Sequence, residues 1–143
     1  MDNIYNSKVI WAQMDANQHL RHSAYADLAA QARVELLESM ELNMDVFQKL
    51  KIGPILFREE LIYLKEIRGT QKVKISSELV KSRPDGSRWS IRHEVFREDG
   101  VKSAIINVEG AWLDLLQRKL TGLPENFATA FNAMPKSEDY EQL

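Results

Sequence analysis

Two periods of apolar residues run along this chain. In residues 7–14, Val9, Trp11 and Gln13 fall on one side and Lys8, Ile10 and Ala12 on the other. Their β-branched and aromatic content predicts a first strand there. Tyr25, Leu28, Ala29, Ala32, Leu36 and Met40 then recur at intervals of three and four, with Asp27, Gln31, Glu35 and Glu38 opposite. That spacing predicts a helix over residues 23–40. Ser23 suits its N-cap, with His22 and Arg21 as alternative boundaries. Alanines at 24, 26, 29, 30 and 32 favour helix and leave its backbone thinly covered, so that a sheet can wrap closely around it.

A shorter helix is expected over residues 43–50, ended by Gly53-Pro54. The period then changes to two. Strands are predicted over 55–67, 71–81, 87–97 and 101–116, punctuated by Gly69, Pro84-Asp85-Gly86 and Asp99-Gly100. Trp89, Ile91, His93 and Val95 share one face, as do Ala104, Ile106, Val108, Gly110 and Trp112. Glu59 falls on the apolar side of its strand, and Gly110 marks a bulge or a close backbone approach. Consecutive strands joined by tight turns are antiparallel. The pattern is therefore α+β, a helix laid on one face of an antiparallel sheet. Residues 124–134 read as a short helix docked through Phe127, Ala130 and Phe131, and the polar tail 135–143 as frayed.

At 143 residues the chain is expected to form one domain, residues 1–143. Apolar residues at 44% and charged residues at 28% are those of a soluble globular protein. A net charge of −2 argues against nucleic acid as a partner. Having no cysteine, the chain has no disulfide, thiolate nucleophile or cysteine metal site. No secretory signal or membrane-length apolar run is visible, and a cytoplasmic address is expected by default.

The chemistry gathers in residues 15–33. A lone carboxylate, Asp15, precedes a polar turn and then the helix start. A helix start offers unpaired N–H groups and a partial positive charge. An acid beside such donors can attack a carbonyl, or activate water toward it, while the N–H groups hold the oxyanion. His19, His22 and Asp15 have spacings that bind metal on a helix, but this segment is turn-like, and no metal site is expected.

Asp15-x-x-x-His19, followed by Tyr25 and an alanine-rich helix reaching Ala32-Arg33, resembles the opening motif of the 4-hydroxybenzoyl-CoA thioesterase-type branch of hotdog-fold acyl-CoA thioesterases. The resemblance extends from Val9 to Asp114 and includes Gly53-Pro54-Ile55-Leu56 and Leu61-Ile62-Tyr63-Leu64-Lys65. Where that family commonly carries two asparagines, this chain has Arg21 and His22. The resemblance implies a hotdog fold, with a long central helix wrapped by a curved antiparallel sheet. It implies hydrolysis of an acyl-CoA to free acid and CoA, with no cofactor. Asp15 would be nucleophile or general base, and a backbone N–H near His22 or Ser23 the oxyanion donor. His19 would orient the carbonyl, fix the turn or tune Asp15, and His22, absent from the usual pattern, would face the thioester or only solvent. Ser23 and Tyr25 would line the substrate site, where Arg21 would meet an acyl carboxylate or a CoA phosphate. Lys81, Arg83, Arg88, Arg92 and Arg97, around the Pro84 turn, would form a basic rim for CoA. A homodimer or homotetramer follows from the same resemblance, and an exposed sheet edge independently favours pairing with a second copy. The rival readings are a non-catalytic acyl-thioester binding protein and a hotdog enoyl-CoA hydratase or dehydratase that pairs a histidine with an acid.

Overall fold

A computed structural model describes residues 2–143. The elements in chain order are β1 (Ile4–Lys8), a single 3-10 turn (Trp11–Gln13), α1 (His22–Ser39), α2 (Met44–Leu50), β2 (Ile52–Tyr63), β3 (Lys72–Ser82), β4 (Arg88–Phe96), β5 (Lys102–Asp114), β6 (Lys119–Thr121), α3 (Glu125–Asn132) and β7 (Lys136–Gln142). The strands form one sheet in the order β1-β3-β4-β5-β2, with β6 on β5 and β7 on β3. All pairs are antiparallel except β3–β7.

The helix face expected from the threefold and fourfold spacing is the one buried: Tyr25, Leu28, Ala29, Ala32, Leu36 and Met40 pack onto the sheet. Three alanines on that face, Ala24, Ala29 and Ala32, let the backbone approach the strands. The sheet presents Val73, Ile75 and Leu79 of β3, Ile91, His93 and Val95 of β4, and Ala104, Ile106, Val108 and Trp112 of β5, as the alternation predicts. Gly110 has a specific reason. A Cβ there would stand 2.5 Å from the Ile55 carbonyl oxygen and 2.5 Å from the Trp89 ring, so only glycine lets Trp89 lie across β5.

The structure departs from the sequence reading at several places, among them β6, a strand the reading lacks. Residues 7–14 are not a strand. β1 ends at Lys8, and after Val9 donates to the Gln71 carbonyl the chain folds into a turn closed by the Gln13 side chain on the Ile10 N–H. Gly53 and Pro54 do not end α2. Left-handed Lys51 (φ 55°) does, and Pro54 sits inside β2, tolerated because β2 is an edge strand. β2 stops at Tyr63, so Ile67 lies in the following loop, although fully buried. The tail is not frayed. Residues Lys136–Gln142 form β7, parallel to β3, where Tyr140 and Asn132 both hydrogen-bond the Ser82 hydroxyl and Arg92 meets Asp139 through two bonds of 3.1 and 3.2 Å.

Candidate active site

The turn before α1 is built around Asp15. Its Oδ1 accepts the N–H of Asn17 at 2.8 Å and that of His19 at 3.1 Å, and its own N–H donates to the His19 carbonyl. Such a carboxylate-capped turn is a common use of aspartate. Gln18 takes the left-handed conformation this turn requires, with φ 63°. Two further backbone bonds, Leu20 to Ile67 and Gly69 to Gln18, tie the turn to the loop after β2. Oδ2 has no partner among the described residues.

Arg21 is the N-cap of α1, and no side chain caps the helix. Ser23 lies one position inside the first turn and its hydroxyl accepts from the Arg21 Nε instead. Among the described residues no acceptor meets the backbone N–H of His22 or Ser23. The helix start therefore offers two free donors and its partial positive charge.

Asp15, His19, His22 and Tyr25 line one open recess of about 330 Å³, together with Tyr63, Lys65 and Glu66. Four of the six residues singled out in the sequence are thus brought together. Arg21 and Ser23 are not. The Arg21 guanidinium is held by the Ala12 carbonyl and the Ser23 hydroxyl, and neither residue is among those that line the recess. Tyr63 lies in a stretch that carries the resemblance but the sequence reading gives it no role at the site, yet its hydroxyl donates to the His22 carbonyl at 3.2 Å and its ring meets Tyr25 edge-on at 5.3 Å, bracing the helix start. Tyr25 is buried, which raises its phenol pKa above the ordinary value, and its hydroxyl stands 3.4 Å from Ser103. His19 Nε2 lies 3.4 Å from a Glu66 carboxylate oxygen and 3.3 Å from the Arg68 guanidinium. One tautomer donates to Glu66 and the other accepts from Arg68. Among the described residues no group of three or more histidines and carboxylates gathers in a metal-binding arrangement.

Of the residues expected to form a basic rim, Lys81, Arg83 and Arg88 lie at the Pro84 turn, away from Asp15, whereas Arg97 follows the other end of β4 and donates to the carbonyl of Glu66, which lines the Asp15 recess. Across the sheet, Leu56 is in register with Gly110 and Trp89 beside that turn, whereas Tyr63 flanks Asp15. Seven residues of strand separate the two, about 23 Å. Arg92 and Arg97 are already paired, with Asp139 and Asp99, and Arg88 lies over the Phe57 ring at 4.7 Å. Lys65 lines the Asp15 recess and Arg68 meets His19 beside it.

A second polar group is buried in the core. His93 is fully buried on the inner face of β4 and accepts from the Arg33 guanidinium at Nε2, 3.0 Å away. Arginine only donates, so Nδ1 carries the proton and donates to the Ser77 hydroxyl at 2.9 Å and the Ser76 carbonyl at 3.2 Å. Burial, and after it the Arg33 charge, pushes the His93 pKa down to about 3. Burial likewise lowers that of Arg33, against the opposing field of Glu59.

A long helix wrapped by a curled antiparallel sheet defines a hotdog protein. The chain belongs to the thioesterase-like superfamily, whose family model matches residues 9–131, and membership places it among thioester hydrolases. Solved structures share the fold at low identity. The Staphylococcus aureus protein SAV2348, solved in complex with CoA, is 18% identical with a TM-score of 0.85, over 91% of this chain and 81% of that one. Slr0204, a 1,4-dihydroxy-2-naphthoyl-CoA thioesterase from Synechocystis, is 15% identical with a TM-score of 0.81, over 92% and 96%. YbaW, a probable thioesterase from Escherichia coli, is 21% identical with a TM-score of 0.76, over 94% and 100%. No curated protein matches the chain's sequence. Among the described residues no helix is long and apolar enough to cross a membrane.

Proposed function

We propose that this protein is a cytoplasmic homo-oligomeric acyl-CoA thioesterase in which Asp15 attacks the thioester carbonyl or activates water toward it, and the N–H groups of His22 and Ser23 receive the oxyanion. The observation that carries this reading is the pairing of an unengaged Asp15 Oδ2 with uncapped helix donors beside one recess. In the nucleophilic route, Asp15 Oδ2 bonds to the acyl carbon, the C–S bond breaks, and CoA leaves as a thiolate. Water then cleaves the resulting anhydride and returns the carboxylate. In the general-base route, Asp15 takes a proton from water, whose oxygen bonds to the same carbon; the C–S bond then breaks, and the proton passes from Asp15 to the departing CoA thiolate. Either route needs the donors more as charge develops on the carbonyl oxygen, and one such donor typically contributes about 2.7–4 kcal/mol. The CoA-bound relative supports CoA as the thiol carrier. His19 is assigned the role of fixing the turn, since both its ring contacts are to Glu66 and Arg68. A dimer or tetramer is supported by β2, a 12-residue edge strand.

The test is thiol release from short, long and aromatic acyl-CoAs by wild type and Asp15→Asn. Turnover by wild type that disappears in the folded variant is expected. Turnover that survives Asp15→Asn would remove the acid from the mechanism. A folded wild type that binds acyl-CoA without releasing thiol would favour the non-catalytic binding reading, and hydration of an enoyl-CoA would favour the hydratase.

A further inference from the structure

Tyr63 is the last residue of β2 and is exposed, and its hydroxyl donates to the His22 carbonyl in the first turn of α1. Neither group needs the other for want of a partner. The carbonyls that an α-helix leaves without partners belong to its last turn, and His22 stands at the opposite end. An exposed hydroxyl can bond to water. Tyr25 is the contrast, buried and with its hydroxyl beside Ser103.

The effect of the bond falls on the next group along the chain. The His22 carbonyl and the Ser23 N–H are the two ends of one planar peptide unit, joined by amide resonance. A donor at the oxygen draws electron density from the nitrogen and leaves the N–H more positive, as one hydrogen bond strengthens the next in a series. Among the described residues no acceptor meets the Ser23 N–H, so the gain is available to an anion that arrives there. Tyr63 can therefore act on the oxyanion without touching the reacting atoms.

Two ties hold Tyr63 in this position. Its ring meets the Tyr25 ring edge-on, at an interplanar angle of 73°. The two residues that follow it, Leu64 and Lys65, both donate their N–H groups to the Ser103 carbonyl, at 2.8 and 3.0 Å, and the Ser103 hydroxyl donates back to the Lys65 carbonyl. Tyr25 reaches the same serine hydroxyl at 3.4 Å. The end of β2 and the start of α1 are thus joined through the ring pair and through Ser103, which together keep the Tyr63 hydroxyl against the His22 carbonyl.

Resting on the thioesterase reading above, we propose that Tyr63 is a positioning residue for the reaction. By donating to the His22 carbonyl it aims and strengthens the Ser23 N–H as a donor to the oxyanion.

Tyr63→Phe removes the hydroxyl and keeps the ring against Tyr25. The variant should unfold at the wild-type midpoint. Its single-turnover rate of thiol release from benzoyl-CoA should fall by about two- to eightfold, the share by which one hydrogen bond strengthens its neighbour, applied to one oxyanion donor. The donor acts on charge that develops after binding, so affinity for benzoyl-CoA, measured in Asp15→Asn chains, should be the same with and without the Tyr63 hydroxyl. An unchanged rate, or a loss of binding that accounts for the whole effect, would overturn the assignment. A residue that only braced the fold would leave the bound carbonyl unpolarised. The second readout is therefore the C=O stretch of benzoyl-CoA, isotopically labelled at the carbonyl carbon and bound to folded Asp15→Asn. The stretch should lie below that of the free ligand, and adding Tyr63→Phe should move it part of the way back. A fluorinated tyrosine at position 63, kept protonated, is a stronger donor and should move it further down. A stretch indifferent to these changes would overturn the proposal. A stretch that responds as expected, in a protein that releases thiol from no acyl-CoA, would sink the thioesterase reading while keeping the polarised donor.

Discussion

Asp15 holds its own turn through Oδ1, bound to the N–H groups of Asn17 and His19, and keeps Oδ2 free. These two oxygens separate structure from chemistry in a mutant pair. Asp15→Asn retains an acceptor for the turn, so its unfolding midpoint should match wild type, while thiol release falls by about 10²–10⁴. Asp15→Ala removes the acceptor as well and should cost about 1 kcal/mol of stability beyond the asparagine variant, read by urea titration. Equal stabilities would mean that the turn does not depend on the carboxylate. His93 gives a pH prediction with a definite sign. Its pKa falls from 6.5 to about 3, so the unfolded chain binds a proton between those values that the native state refuses. The stability held by neutral His93 is complete above 6.5 and is lost as pH falls through that window, at up to about 1.4 kcal/mol per unit. Urea midpoints of wild type should therefore fall more steeply between pH 7 and pH 5 than those of His93→Gln. Parallel slopes would show that His93 does not carry the acid sensitivity.

Between β4 and β5 the packing depends on one missing side chain. Gly110 leaves room for the Trp89 ring, which in turn packs on Trp112 and Phe131 at centroid distances of 6.4 and 6.0 Å. Gly110→Ala meets backbone at Ile55 as well as the ring, so neither neighbour can yield cheaply. It should cost about 1–3 kcal/mol, and thermal unfolding that leaves Tm unchanged would show that the strands can part there. The same region shows what the sequence revealed and why it stopped. Buried faces of α1, β3, β4 and β5 were legible because apolar residues repeat with the period of the element that buries them. The tail was not, because Lys136–Gln142 turns in only Ser137 and Tyr140 and is held by polar bonds to Ser82 and Arg92, which leave no hydrophobic signal. Pro54 misled because its meaning depends on whether a strand is at an edge, which is a property of the assembled sheet. For the site, the Asp15 turn and the bare helix start were local and readable. Tyr63, Lys65, Glu66 and Arg68 reach the recess only through the fold and share no spacing with Asp15.

The chain ends its sheet on a strand that is unusual for a monomer's rim. β2 has a free edge along 12 residues, carries a bulge at Phe57, and leaves Leu56, Phe57 and Ile62 exposed at 41%, 50% and 38%. Charges that would blunt such an edge are partly neutralised, since Arg58 pairs with Glu60 and Glu60 also accepts from Asn107. Beside it Val34 of α1 is 43% exposed, so apolar surface continues from the strand onto the helix. Edge-to-edge pairing of two copies would satisfy the free N–H and C=O groups and cover these side chains together. The consequence can be tested without knowing the substrate. Replacing Phe57 and Ile62 by lysine places like charges across a two-fold edge, while the inner face that packs on α1 is untouched. Sedimentation should show wild type as a dimer or tetramer and the double variant as a smaller species with the same circular dichroism. Thiol release should fall with the loss of assembly, because Tyr63, the last residue of β2, lines the Asp15 recess. If the variant becomes monomeric and turns over at the wild-type rate, each chain holds a complete site and the assembly serves another purpose.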